Sequence, residues 1–373
     1  MKFRSSFPRK IKVFAGLSAA AILATACGSS TAASSTSSTS AGSSSSKTLT
    51  EAQIATYTGA NRQNLLVAGA KKEGQLDYWY VDAIQADAKN LIAAFQKKYP
   101  FIKVNPFYGN PNVSLTKLKT AYAAGKNPVD VIQLDNFSAQ QLIGGNYVQP
   151  FNSPFSKDLA KRALQQNSSG GILAANPVYY QFGVMWNTSL LPKGFTVKSW
   201  SDLLNPILKN KMVMPTSFTS TLFAGEGAAA ETSGASAYFK ALGGQNIHFV
   251  SGSADEISNL VADGQYALTP NVYESYYLQH KAAGAPVAFS PLSPQFVVTF
   301  SYSLLKNAPD PYAAMLFLDF VMSTQGAKLV NPNPGYFTAL SGKLPSSVNM
   351  PFGSSLTSEE KTWQSDLKLV ENG

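Results

Sequence analysis

Three tyrosines and a glutamate fall within five residues: Tyr273, Glu274, Tyr276 and Tyr277. If this set faces a cleft, two chemistries suit it. Phenol and carboxylate oxygens bind a hard cation, and the rings stack on a planar ligand. A third reading needs no ligand, because Tyr273, Tyr276 and Tyr277 are spaced by three and four, as on the packing face of one helix. A second polar group is Asp135-Asn136, which ends the apolar run 129–134. Asp135 suits an N-cap for a helix over 137–143 and equally suits a ligand contact. The third is the hydroxyl-rich loop 215–220, with Ser217 and Thr219, ahead of a small-residue helix at 223–230. Hydroxyls and free backbone N–H groups at a helix start cradle an anion or a carbonyl. Simple capping explains them equally well.

These groups need a scaffold, and residues 71–104 set its plan. Residues 76–81 are an apolar, aromatic run entered through Gly74, as in a buried strand. Ala88, Leu91, Ile92, Phe95 and Tyr99 then recur at helical spacing, with Asp87 near the start and Lys97 and Lys98 near the end, the signs that suit the helix dipole. Pro100 closes that helix, and 103–108 is the next strand. Strand, helix, strand at this length is a right-handed crossover onto a parallel sheet, whose ligands bind beyond the carboxyl ends of the strands. Tyr80 and Asp82 therefore border the first wall of a site, the loop 82–86, and Asp135 and Asn136 border the second.

The rest of the chain continues in the same style. A helical arm covers 51–70, and Leu115, Leu118 and Tyr122 mark another helix. Residues 176–187 form a strand long enough to run from one lobe into another, with Gly183 in its middle. Ser199 and Asp202 resemble a capping box. Helices follow over 254–261 and from Pro311, with return strands over 287–302 broken by Pro291 and Pro294. A last helix is expected over 358–370.

Composition narrows the class. Hydrophobic residues are 45% and charged residues 14% of 373, so the chain can bury a core and has room for about two domains. The net charge is +9, but five basic residues (Lys2, Arg4, Arg9, Lys10 and Lys12) lie in a leader, which leaves +4 and no basic run. That is a poor match to nucleic acid. There is no phosphate loop, no HExxH and no Gly-x-Ser-x-Gly elbow. With two His and one Cys, nucleophile–base pairs are scarce, and the reading is of a protein that is not an enzyme, with no cofactor; the runner-up is an extracytoplasmic hydrolase, because two acids can meet in space without a local signature.

The leader has a basic start, an apolar stretch over 13–26 too short for a stable membrane span, then Cys27. Leu23-Ala24-Thr25-Ala26-Cys27 resembles the bacterial lipobox, which implies cleavage before Cys27 and lipidation of it. Residues 28–50 are almost wholly Ser, Thr, Ala and Gly, a flexible tether.

An ordered set of segments then resembles one family: AKKEGQLDYWY, AFQKKYPFIKV, AGKNPVDVIQLDN, YYQFGVMWNTSLLP, SWSDLLNP with KNKMVMP, DGQYALTPNVY and LLKNAPDPYAAMLFLDFVMSTQG. In this order, over about residues 64–333, they are similar to the family 1 extracellular solute-binding proteins of ABC importers. The resemblance implies an α/β, two-lobed type II periplasmic-binding fold with a hinged cleft between the lobes. It divides the chain into a signal peptide 1–26, a tether 27–50, a first lobe from 51–180, a second lobe 181–286 and a return 287–373. It implies an extracytoplasmic, lipid-anchored monomer that traps a small solute by lobe closure and delivers it to an ABC permease. The solute would contact Tyr80, Asp82, Asp135, Asn136, Ser217, Thr219, Tyr273, Tyr276 and Tyr277. The nearest likeness is to the ferric-iron branch, with Asp135, Tyr273, Glu274, Tyr276 and Tyr277 as the oxygen donors. Asp135 stands where that branch has its acid, as Asp and not Glu. Tyr273 takes the first tyrosine position, but Glu274 takes the second, and 81–86 hold no His. Thiamine, polyamine and phosphonate binders are close by.

Overall fold

The computed structural model describes residues 49–81, 85–216, 235–292, 297–330, 336–341, 343 and 365–371. The leader, Cys27, almost all of the tether, Asp82, Ser217, Thr219 and the helix expected at 223–230 lie outside them.

The expected arm is two helices, α1 (Glu51–Thr56) and α2 (Arg62–Glu73). The backbone turns extended at Tyr57, which separates them. Gly74, at φ +72°, ends α2 in the left-handed conformation that glycine adopts without steric cost, and releases the chain into β1 (Gln75–Tyr80). The crossover follows as expected. Helix α3 (Gln85–Lys98) buries Ala88, Leu91 and Phe95, and β2 (Lys103–Tyr108) lies parallel to β1 from Gln75↔Lys103 to Tyr80↔Tyr108. Helix α4 (Pro111–Ala123) leads to β3 (Val131–Asp135), parallel to β1 on its other side. Asp135 begins α5 (Asn136–Gly144).

Short strands β4 (Leu164–Gln166) and β5 (Ile172–Ala175) precede the long strand β6 (Val178–Asn187). Ser199 and Asp202 sit at the start of a 3-10 turn, where the Asp202 carboxylate accepts from the backbone of Lys198 and Ser199. Those bonds hold its carboxyl below the usual range. Then come β7 (Val213–Pro215), α6 (Ala235–Gly243), β8 (His248–Val250), α7 (Ala254–Ala262), β9 (Leu268–Tyr273) and α8 (Glu274–Ala282). The return is β10 (Val287–Ser290), β11 (Val297–Leu304), α9 (Pro311–Met322), α10 (Thr324–Leu329) and β12 (Tyr336–Thr338). Residues 365–371 are helical, the described end of the helix expected over 358–370.

Strand β6 changes partners along its length. Its first half pairs with β11 and β12, and its second half with β9 and β10. The change falls between Gln181, opposite Val297, and Phe182, opposite Tyr273. Gly183 lies just beyond, where β6 presses on the end of β10. A Cβ on Gly183 would stand 2.3 Å from the Ser290 carbonyl oxygen and 2.9 Å from Pro291 Cα. Backbone atoms cannot step aside as a flexible side chain can. Gly183→Ala should therefore cost about 1–3 kcal/mol by overpacking, read from the midpoint of urea unfolding. An unchanged midpoint would show that the two segments are not held in this contact.

The core of the first strands is aromatic. Tyr78, Phe95 and Phe317 pack ring on ring, with centroids 4.7 Å apart for Tyr78–Phe317 and 5.1 Å for Phe95–Phe317. Every residue of α9 from Ala313 to Met322 is buried, the charged Asp319 among them, so this helix lies within the core. Among the described residues no helix is long and apolar enough to cross a membrane.

Candidate functional site

Strands β3 and β9 end beside one feature, the point where β6 changes partners. On one side β3 ends at Asp135. Its Oδ1 accepts from Phe137 N at 3.0 Å and Ser138 N at 3.1 Å, which caps α5. Asp135 is buried, and burial pushes its carboxyl up against the pull of those bonds. Asp135 faces Phe300 across the β3–β11 ladder. On the other side β7, β8 and β9 run parallel. Strand β9 ends at Tyr273, which takes the N-cap position of α8 and is almost fully buried.

Tyr180 links the two sides. Its ring stands edge-on to Phe300 at 5.1 Å, to Tyr336 at 4.5 Å and to Tyr273 at 5.8 Å. Tyr273 also packs edge-on against Phe182 at 5.1 Å and Tyr276 at 5.7 Å. Tyr336 Oη donates to Asp87 in the first turn of α3, at 3.3 Å. One run of contacts thus joins the starts of α3, α5 and α8.

Of the residues singled out in the sequence, the structure brings Tyr273 and Tyr276 together. Tyr277 lies elsewhere, stacked on Phe289 of β10 at 5.4 Å. Glu274 is half-buried in the first turn of α8, and burial pushes its carboxyl up. Asn136 is buried beside Asp135. Tyr80 ends β1, stacked on Tyr78 at 5.4 Å and tilted against the exposed Tyr108 at 5.4 Å. Sequence reasoning missed Tyr180, Phe300 and Tyr336. Tyr180 reads locally as one more strand residue, and its partners lie far along the chain.

Among the described residues one carboxylate trio has ligand atoms within 4.8 Å of one another: Asp77, Asp130 and Asp310. It lies toward the opposite, N-terminal ends of β1 and β3. It clamps the fold, for Asp130 accepts from Asp77 N and Asp310 N, both at 2.7 Å. Burial, helped by the Asp310 and Asp77 carboxyls, pushes Asp130 up from 3.8 to about 7. Burial likewise pushes Glu73, which accepts from Tyr312 N and Ala313 N at the start of α9, up from 4.5 to about 7. A carboxyl raised on folding stabilises the fold when protonated, and that stability is lost as pH rises through its folded value. His280, lowered by burial, acts in the opposite sense below its ordinary value. The two raised carboxyls outweigh that one group, so the unfolding temperature should fall as pH rises from about 4.5 to about 7. Asp130→Asn should flatten that slope, although it costs stability throughout by putting an amide where two N–H groups need acceptors. A slope unaltered in Asp130→Asn would contradict this assignment.

Comparison with known proteins fits this geometry. Residues 90–342 match the family model of bacterial extracellular solute-binding proteins. No curated protein sequence matches the chain. Iron-bound HitA from Pseudomonas aeruginosa is similar in structure, with TM-score 0.63 and 14% identity over 80% of this chain and 98% of that one. The periplasmic binding protein AfuA from Actinobacillus pleuropneumoniae, with fructose-6-phosphate bound, gives TM-score 0.60 and 20% identity over 80% and 97%. PotD from Streptococcus pneumoniae, a spermidine/putrescine ABC transporter substrate-binding protein, gives 0.57 and 14% over 80% and 99%. At these identities the likeness is one of fold: the α/β, two-lobed type II periplasmic-binding fold with an interlobe cleft. With most of its length matched by the family model, this chain belongs to the bacterial extracellular solute-binding proteins.

Proposed function

We propose that the chain is the lipid-anchored, extracytoplasmic solute receptor of an ABC import system. It traps a small solute by lobe closure, as a monomer, and passes it unaltered to a membrane permease. The observation that carries this reading is the change of partners in β6 beside the capped starts of α5 and α8. Two lobes that share a crossing strand can rotate about it and close on a solute at their strand ends. On this reading the first boundary lies at residues 181/182, one residue past the expected 180/181. Strand β10 pairs with the second half of β6, which supports counting it with the second lobe. The lobes would be joined to the membrane by Cys27 and the tether.

Ferric iron is the solute to test first. Asp135, Tyr273, Glu274 and Tyr276 offer the oxygen donors that a hard ion prefers, and iron-bound HitA shares the fold. Tyr277 would have to leave Phe289 to join them. The tilted pair Tyr80–Tyr108 favours a second reading, an organic solute such as thiamine, a polyamine or a phosphonate seated against rings. Asp82, Ser217 and Thr219, expected as further contacts, lie outside the described residues.

Two experiments test the role. Cys27→Ser should move the protein from the membrane to the soluble fraction, and continued membrane attachment would remove the anchor. Solute recovered after prolonged incubation should be chemically unchanged, and turnover would sink the receptor reading.

A further inference from the structure

We propose that the protein carries a second binding pocket, for a small organic anion, at the N-terminal ends of β7, β8 and β9. The candidate solute site lies at the other end of β9, where the strand reaches Tyr273. The pocket opens beside Ala267, just before the strand begins, and β9 spans six residues, about 17 Å. The two sites are therefore separate, and the pocket does not depend on the receptor reading. Three tight turns build it. Asn210, at φ +62°, precedes β7; Asn246, at φ +52°, precedes β8; Gly264, at φ +79°, precedes β9. Backbone bonds tie the turns together. Asn210 N donates to Gln245 O at 2.8 Å, His248 N to Met212 O at 2.9 Å and Ala267 N to Lys211 O at 2.9 Å. The walls are thus fixed before a ligand arrives, which lowers the ordering cost of binding.

The cavity measures about 470 Å³ and is open to solvent, a volume that suits a small molecule. Its polar wall is made of donors. Asn210, Lys211, His248, Gln265 and Tyr266 line it, and among the described residues that line it none is Asp or Glu. The Asn210 side-chain oxygen already accepts from Asn246 Nδ2 at 2.9 Å, which leaves the Asn210 amide N–H groups for a ligand. The half-buried Lys211 ammonium, the Gln265 amide and the Tyr266 hydroxyl make no hydrogen bond or ion pair among the described residues. The nearest carboxylate along the chain, Asp263, is felt by His280 of α8. The rest of the wall is flat and apolar. The His248 and Tyr266 rings pack with centroids 5.2 Å apart, and Leu190 beside them is 43% exposed. A carboxylate or phosphate ester with a small apolar body satisfies both parts. Its head takes the donors around Lys211, and its body covers Leu190 and the ring pair. A cation would meet the Lys211 charge with no carboxylate to offset it.

The test is isothermal titration of the full-length chain with benzoate, phenyl phosphate and benzylamine. Benzoate or phenyl phosphate should bind with a Kd below about 1 mM, and benzylamine should not bind. The tighter of the two anions names the head group. Lys211→Met and Gln265→Glu, on separate turns, should each weaken that binding at least about tenfold, with the fold checked by the unfolding midpoint. Tyr273→Phe combined with Asp135→Asn should leave it unchanged, because both residues belong to the candidate solute site. Failure of both anions to bind would overturn the proposal and leave the receptor role standing. So would binding that survives Lys211→Met and Gln265→Glu, or binding that is lost in the Tyr273 and Asp135 variant, because the anion would then sit elsewhere.

Discussion

Arg62→Ala should lower the stability of the fold by about 3–5 kcal/mol, the cost of leaving a buried charge without its partner. Arg62 on α2 and Asp319 on α9 are 7% and 3% exposed. The guanidinium meets the carboxylate with both terminal nitrogens, and its second nitrogen also donates to the Asn152 carbonyl at 3.1 Å. Burial pushes the Asp319 carboxyl up, and Arg62 is the main force holding it down. Without Arg62 the carboxyl must take a proton or stay charged in an apolar setting. The loss should therefore shrink as pH falls. Replacing both partners at once, Arg62→Met with Asp319→Leu, should cost far less, because no uncompensated charge remains. Urea unfolding of the three variants decides the matter. A single variant as mild as the double would show that the pair contributes little.

Tyr180→Ala should cost a similar amount, about 3–5 kcal/mol for removing a large buried ring, and should abolish solute binding as well. Tyr180 is fully buried and touches Phe300, Tyr336 and Tyr273, which belong to three different strands. Emptying that position frees Tyr273 to shift away from Asp135's neighbour Phe300, so the two halves of the site lose their common spacer. Tyr180→Phe keeps the ring and should retain the packing, with a loss of no more than about 1.5 kcal/mol. Full solute affinity in Tyr180→Ala, in a variant still folded at the assay temperature, would place the site away from this crossing.

Elements with a local signature were legible in the sequence. The crossover from β1 through α3 to β2 was written in the spacing of Ala88, Leu91 and Phe95, and the capping of α5 in an aspartate that ends an apolar run. The length of β6 marked it as a strand able to serve two lobes. Contacts between distant positions left no such trace. Nothing near Arg62 points to Asp319, and nothing near Tyr180 points to Tyr336. The tyrosine cluster shows the limit most clearly. Its spacing suggested one packing face, yet Tyr273 stands at the cap and turns toward Tyr180, while Tyr277 turns toward Phe289. A cap residue leaves the helical repeat, so periodicity cannot say which way its side chain goes. The solute is harder still to read, because it depends on which oxygen atoms converge from two lobes.

The most direct test of the central claim is thermal unfolding of the stripped protein, alone and with ferric nitrilotriacetate, thiamine, spermidine or methylphosphonate. A receptor holding solute at about a thousand times its dissociation constant should gain roughly 4 kcal/mol. The account predicts that gain for one solute, and its loss when Tyr273→Phe and Asp135→Asn are combined. A tyrosinate-to-iron absorption band would identify ferric iron as that solute. Its absence with the gain intact would identify an organic solute. An unfolding temperature unmoved by every solute, or a gain that survives both substitutions, would contradict the account.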